Sequence, residues 1–192
     1  MSFEELKPGS FVYRIKGALD TAFCDRVVAR FEDRAEEQYA GRIGQGVAEQ
    51  DSVKKSVDLR ITGKSHWQDV DATLFASLSE ALGAVSGLHP YFACNSFKDM
   101  GYNLQRYRAG EYYHWHVDAG PGPFSQRQLV ALWYLNDVTA GGGETEFAFQ
   151  EISVTPTCGD LLLFPPFWTH VHRSAVLETG VKYIATTWVC FS

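Results

Sequence analysis

Two short segments of this 192-residue chain hold four of its six histidines. One reads His114-Trp115-His116-Val117-Asp118 and the other His170-Val171-His172. Extended backbone points alternate side chains to one face, so the first segment can turn His114, His116 and Asp118 one way and Trp115 and Val117 the other. The same parity groups His170 with His172. Two imidazoles and one carboxylate on one side of a divalent metal leave three positions open, which is the donor set of non-haem iron(II) centres. A structural zinc site would close its fourth position, usually with cysteines. Here Cys24, Cys94, Cys158 and Cys190 are far apart, with no Cys-x-x-Cys pair, and are expected to be buried free thiols.

Those segments need strands to hold them. After Pro90 short β-branched and aromatic runs alternate with Gly/Pro clusters: 102–107, 113–117, 129–135, 144–147, 160–164, 169–171 and 181–189. Many short strands at near-regular spacing indicate a sandwich or barrel, here an antiparallel jelly-roll core in the C-terminal half. Before Pro90 two helices are expected. Phe23, Val27, Phe31 and Ala35 recur every four residues over 20–39, with Asp20 or Thr21 as cap and Gly41 past the end. Leu74, Leu78, Leu82 and Val85 form a second stripe over 67–85, closed by Gly87 and Pro90. Both stripes read as covers for a sheet. Between them 41–56 is polar and glycine-rich, a candidate mobile lid over a substrate.

The residues around the first histidine cluster carry a resemblance. Tyr107-Arg108-Ala109-Gly110-Glu111-Tyr112-Tyr113-His114-Trp115-His116-Val117-Asp118 resembles the signature of the prolyl 4-hydroxylase-like Fe(II)/2-oxoglutarate-dependent oxygenases. Tyr134-Leu135-Asn136, Gly142-Gly143-Glu144-Thr145-Glu146-Phe147, Gly159 through Pro165, and Gly180-Val181-Lys182 with Trp188 continue it in order. The resemblance implies a mainly β fold with N-terminal helices, a double-stranded β-helix (jelly roll) buttressed by two helices. One domain would fill 1–192, with helical support and lid over about 1–98 and the catalytic core over about 99–192.

It also implies roles. His116 and Asp118 would be proximal metal ligands and Lys182 the partner of the distal carboxylate of 2-oxoglutarate. Tyr134 would be a hydroxyl donor to that carboxylate, and Tyr107 would line the same pocket. The distal histidine stands ten residues before the basic residue in this family. Counting back from Lys182 reaches His172, with His170, at twelve, as the alternative. The expected cofactors are Fe(II), 2-oxoglutarate as cosubstrate, O2 and ascorbate as accessory reductant. The expected reaction is hydroxylation of a prolyl residue in a peptide or protein, with succinate and CO2 as coproducts.

Composition sets limits on partners. A net charge of −6 argues against nucleic acid, which demands a basic face, and Lys54-Lys55 reads as solvated surface. No apolar stretch approaches the ~18 residues of a membrane span. The start, Met1 to Glu5, lacks a signal-like apolar run, so a soluble cytoplasmic protein is expected. Oligomeric state is not written in the sequence. Two other readings stand beside the oxygenase. A cupin-like metalloenzyme would use His114, His116 and His170, but cupins usually place a glutamate soon after the His-x-His, and 117–128 has none. A catalytically silent jelly-roll binding module would have no need of His116, Asp118, His172 and Lys182 together.

Overall fold

The computed structural model of the chain describes residues 2–44, 50–139 and 141–192. Within them the strands run, in chain order, as β1 (Ser2–Glu5), β2 (Tyr13–Lys16), β3 (Tyr39–Ala40), β4 (Lys54–Lys55), β5 (Val57–Arg60), β6 (Phe97–Asp99) and β7 (Asn103–Arg108). They continue as β8 (Tyr112–His116), β9 (Arg127–Tyr134), β10 (Thr145–Phe147), β11 (Ile152–Val154), β12 (Leu161–Phe164), β13 (His172–Ser174) and β14 (Val181–Phe191). The α-helices are α1 (Thr21–Glu32), α2 (Gln68–Leu88) and the single turn α3 (Pro90–Ala93).

Two antiparallel sheets form the jelly roll. The larger has the order β1-β2-β12-β9-β14-β7-β5-β3 with β6 beside the end of β14, and the smaller the order β11-β10-β13-β8-β4. Period-2 alternation along the larger sheet divides the core in two. Ala131, Trp133, Leu161, Leu163, Leu104 and Ala185 face outward into a layer shared with α1 and α2. Val130, Leu132, Tyr134, Leu162, Phe164 and Ile184 face inward toward the smaller sheet. With both faces covered, β9 and β12 read as continuous apolar runs rather than alternating ones.

The helices form for the reasons their stripes suggest. Asp20 caps α1, its Oδ1 accepting from the Phe23 N–H at 2.7 Å, and Phe23, Val27 and Phe31 are buried. On α2, Val70, Leu74, Leu78, Ala81 and Val85 are buried, and the Trp133 indole donates to Ser77 Oγ at 3.0 Å. Boundaries differ from expectation. The first helix ends at Glu32, with Ala35 in a separate 3-10 turn (Ala35–Glu37), so Gly41 is not its terminator. The second runs through Gly87 to Leu88, because glycine weakens a helix without breaking it.

The N-terminal half also supplies strands that periodicity did not mark. Strand β2 extends the larger sheet past β12, β5 pairs with β7, and β4 pairs with β8 in the smaller sheet. The lid expected over 41–56 therefore ends in a paired strand, while its residues 45–49 lie outside the described set. Lys54 is not solvated surface: its side chain is 3% exposed, and Nζ lies 2.6 Å from Asp58 Oδ2. Among the described residues no helix is long and apolar enough to cross a membrane. The cysteines are free. Cys24 and Cys190 are buried, as expected, whereas Cys158 is half-buried and Cys94 exposed.

Candidate metal centre and its cavity

The imidazoles of His116, at the end of β8, and His172, at the start of β13, meet because those strands pair with these two residues opposite each other. The next paired position is Tyr113 with Ser174, three residues along one strand against two along the other. That count is a bulge in β8, and it resets the side-chain parity. Tyr113 and His116 both face inward, their rings stacked at 3.5 Å, while His114 turns outward and is exposed. The expected inward alignment of His114 with His116 and Asp118 is thereby corrected. Asp118, just past β8, is held by backbone: its N–H donates to Pro166 O at 3.0 Å and its O accepts from Arg127 Nη1 at 2.6 Å.

The second histidine cluster is also split. Residues 169–171 were expected as strand, but Trp168–His170 forms a 3-10 turn, and the strand begins at His172. His170 is buried, with Nε2 2.9 Å from Ser10 O and Nδ1 2.9 Å from Thr169 Oγ1. Both its ring nitrogens are engaged away from Asp118. His116, Asp118 and His172 remain as a cluster whose donor atoms lie within 4.8 Å of one another. Asp118 carboxylate oxygens are 3.9 Å from His116 Nε2 and 3.4 Å from His172 Nε2.

Tautomers follow from the carbonyls. His116 Nδ1 is 2.7 Å from His114 O, and His172 Nδ1 is 2.9 Å from His170 O. A carbonyl only accepts, so each Nδ1 carries a proton, and Nε2 is the ring nitrogen that each histidine turns toward Asp118. Burial, then the neighbouring His172, lowers the His116 pKa to about 3, so it is neutral near pH 7. Burial alone would raise Asp118, but the His172 and His116 imidazoles and the Arg127 guanidinium outweigh it and hold the carboxyl below its usual range. A neutral His116 beside an ionised Asp118 is the protonation pattern that a divalent metal needs of these two groups.

Beside this cluster a narrow cavity is lined by Tyr107, Thr145, Ser174, Lys182, Ile184 and Thr186, among others. Lys182 is 1% exposed on the inward face of β14. Its Nζ donates to Gly143 O at 2.6 Å and Ser174 Oγ at 2.9 Å, both neutral, and burial lowers its pKa to about 7. A buried ammonium with neutral partners is matched to an anion supplied from outside. Tyr107 lines the cavity, its hydroxyl donating to Gln105 Oε1 at 2.8 Å. Tyr134 is fully buried one layer behind, donating to Thr145 Oγ1 at 2.7 Å, so Thr145 presents the hydroxyl at the wall. Thr145 and Ser174 are not among the site residues expected from the sequence. Ser174 shares parity with His172 along β13, and that signal could have found it.

Comparison with known proteins places this geometry. Residues 102–190 match the family model described as the 2OG-Fe(II) oxygenase superfamily. The chain is 32% identical over 115 residues to probable prolyl 4-hydroxylase 9 of Arabidopsis thaliana, covering 46% of this chain and 40% of that protein. It is 30% identical over 115 residues to prolyl 4-hydroxylase 13 of the same plant, covering 46% and 42%. The match thus spans about two fifths of the length of these curated relatives. Among solved structures, the viral collagen prolyl hydroxylase of Paramecium Bursaria Chlorella virus-1, in complex with 2OG, superposes with a TM-score of 0.73 at 19% identity, over 96% of this chain and 98% of that one. A Trichoplax adhaerens prolyl hydroxylase bound to a hypoxia inducible factor peptide fragment gives 0.79 at 17% identity, over 95% and 84%. These two likenesses establish the double-stranded β-helix fold.

Proposed function

We propose that this chain, whose residues 102–190 match the 2OG-Fe(II) oxygenase superfamily model, is a member of that superfamily and a 2-oxoglutarate- and O2-dependent hydroxylase of prolyl residues in a peptide or protein. One observation carries the reading. The donor atoms of His116, Asp118 and His172 converge beside a buried Lys182 whose hydrogen-bond acceptors are neutral. A metal and a dicarboxylate fit that pair of features together. The prolyl substrate rests on the relatives named prolyl 4-hydroxylases and on the peptide bound to the Trichoplax protein.

In this reading His116 and His172 ligate Fe(II) through Nε2, and Asp118 through a carboxylate oxygen. The His114 and His170 carbonyls fix their tautomers. Lys182 pairs with the distal carboxylate of 2-oxoglutarate, helped by the hydroxyls of Ser174 and Thr145. Tyr107 walls the cosubstrate off from water, and Tyr134 orients Thr145 from behind. When bound, iron and 2-oxoglutarate supply dioxygen activation and the two electrons released on decarboxylation to succinate and CO2. The apolar wall of Val130, Leu132, Phe164 and Ile184 keeps the centre dry.

The test is incubation with Fe(II), ascorbate, labelled 2-oxoglutarate and proline-containing peptides, reading succinate and hydroxyproline. Coupled formation of both, abolished by Asp118→Ala, is expected. A folded protein that binds neither Fe(II) nor 2-oxoglutarate would remove the reading.

A further inference from the structure

A second concavity, of about 500 Å³, opens beside the metal cluster and is lined by residues of seven strands (β3, β4, β5, β7, β8, β9 and β14) together with Met100 and the 42–44 and 117–124 segments. Its floor is the inner face of the larger sheet carried outward past β7. Tyr39 pairs with Asp58, Asp58 with Gln105, and Gln105 with Ile184, in one row across β3, β5, β7 and β14. Arg60, Asn103 and Thr186 form the next row. The face that holds Lys182 and Trp188 is therefore continuous with one that carries Asp58 and Arg60, since side chains two apart share a face.

The charges along this floor are not those of the whole molecule. The chain carries −6 overall, yet the groove is lined by Arg42, Lys54, Arg60 and Arg127 against Asp58 and Asp118. Both acids are engaged. Asp58 Oδ2 is 2.6 Å from Lys54 Nζ and its Oδ1 accepts from Ser56 Oγ, and Asp118 faces the two imidazoles. At the outer end Arg60 is exposed and makes no ion pair among the described residues, and the Arg42 guanidinium lies 5.2 Å from the Tyr39 ring. Between them and the metal cluster, Asn103 lines the groove.

We infer that this groove seats a substrate segment bearing a carboxylate side chain near the modified residue, with Arg60 as the group that reads it. This rests on the hydroxylase reading above and gives its substrate a chemical class: an acidic peptide. Arginine's planar fork matches a carboxylate bidentately, and a local positive field on an acidic protein selects against basic partners.

The test uses three acetylated, amidated peptides with a central proline, identical except for Glu, Gln or Lys at the flanking positions. Their affinity for metal-free protein is measured calorimetrically, and their turnover with Fe(II) and 2-oxoglutarate is measured in parallel. The Glu peptide is expected to bind about tenfold more tightly than Gln and more so than Lys, with the preference shrinking as salt rises. Arg60→Ala should erase the preference and Arg60→Glu reverse it toward Lys, while Fe(II) and 2-oxoglutarate binding stay unchanged. Equal binding of the three peptides, or a preference untouched by Arg60→Glu, overturns the inference. Loss of the hydroxylase reading would instead appear as failure to bind Fe(II) and 2-oxoglutarate, whatever the peptides do.

Discussion

At the scale of single residues, the cavity is built around a carboxylate that stays ionised despite its burial and a lysine whose proton burial loosens. Asp118 stays ionised because two imidazoles and Arg127 surround it. Asp118→Ala should abolish Fe(II) binding and succinate release together, and His172→Ala should follow it. His170→Ala should retain turnover with some loss of stability, since His170 ties to Ser10 rather than to the cluster. Metal titration of the three variants distinguishes them, and swapped phenotypes for the two histidines would displace the distal ligand. Lys182 is the other anchor. Removing one partner of a buried charge pair costs ~3–5 kcal/mol, so Lys182→Ala should raise the KM for 2-oxoglutarate by orders of magnitude while Fe(II) affinity changes little. Its depressed pKa sets a sign for pH. In the free protein the folded state holds fewer protons than the unfolded one from about pH 7 to the ordinary lysine value of 10.5, so its stability rises with pH across that window. Anion binding needs the ammonium, so the Kd for 2-oxoglutarate, measured anaerobically with metal, should weaken as pH rises above about 7. A flat profile in wild type would place the distal carboxylate elsewhere.

At the scale of elements, the β4–β5 region carries more of the structure than its polar sequence suggests. Lys54 and Asp58 are paired with side chains 3% and 5% exposed. Asp58→Ala leaves an unpaired buried ammonium and should cost ~3–5 kcal/mol in urea unfolding at neutral pH. Adding Lys54→Met, which replaces the charge with an apolar chain of similar length, should recover most of that loss. If Asp58→Ala alone is nearly silent, Lys54 reaches water and the strand is looser than its pairing with β8 implies. The bulge in β8 has a comparable local consequence. It places Tyr113 under His116 and ejects His114, so one inserted residue decides which histidines can share a metal.

At the scale of the whole molecule, the sheets close over a cavity that holds a buried cation and an ionised carboxylate, both costly without their counter-ions. Ligands that bind only the folded state stabilise it by mass action, about 2.7 kcal/mol at one hundred times Kd. For a chain of this size that corresponds to a Tm rise of roughly 5–10 °C. Wild type under nitrogen should show it with Fe(II) and 2-oxoglutarate together. Lys182→Ala should keep the metal increment and lose the 2-oxoglutarate increment. No shift in wild type with either ligand would leave the cavity without its proposed occupants.

What the sequence determined by itself was whatever depends on spacing within one element. The two-residue step from His116 to Asp118 and the inward parity of Lys182, Ile184, Thr186 and Trp188 are local, and those side chains line the cluster and its cavity. The helix stripes and the succession of short strands were legible for the same reason. What only the tertiary structure decided depends on register between distant strands. The bulge opposite β13 turned His114 out, and the N-terminal segment reached His170 through Ser10. Pairing of β4 with β8 buried Lys54, and the closing of the two sheets chose Thr145 and Ser174 for the cavity wall. Strands as short as β3 and β4 hold no pattern long enough to read, because their stability comes from partners far along the chain rather than from their own residues.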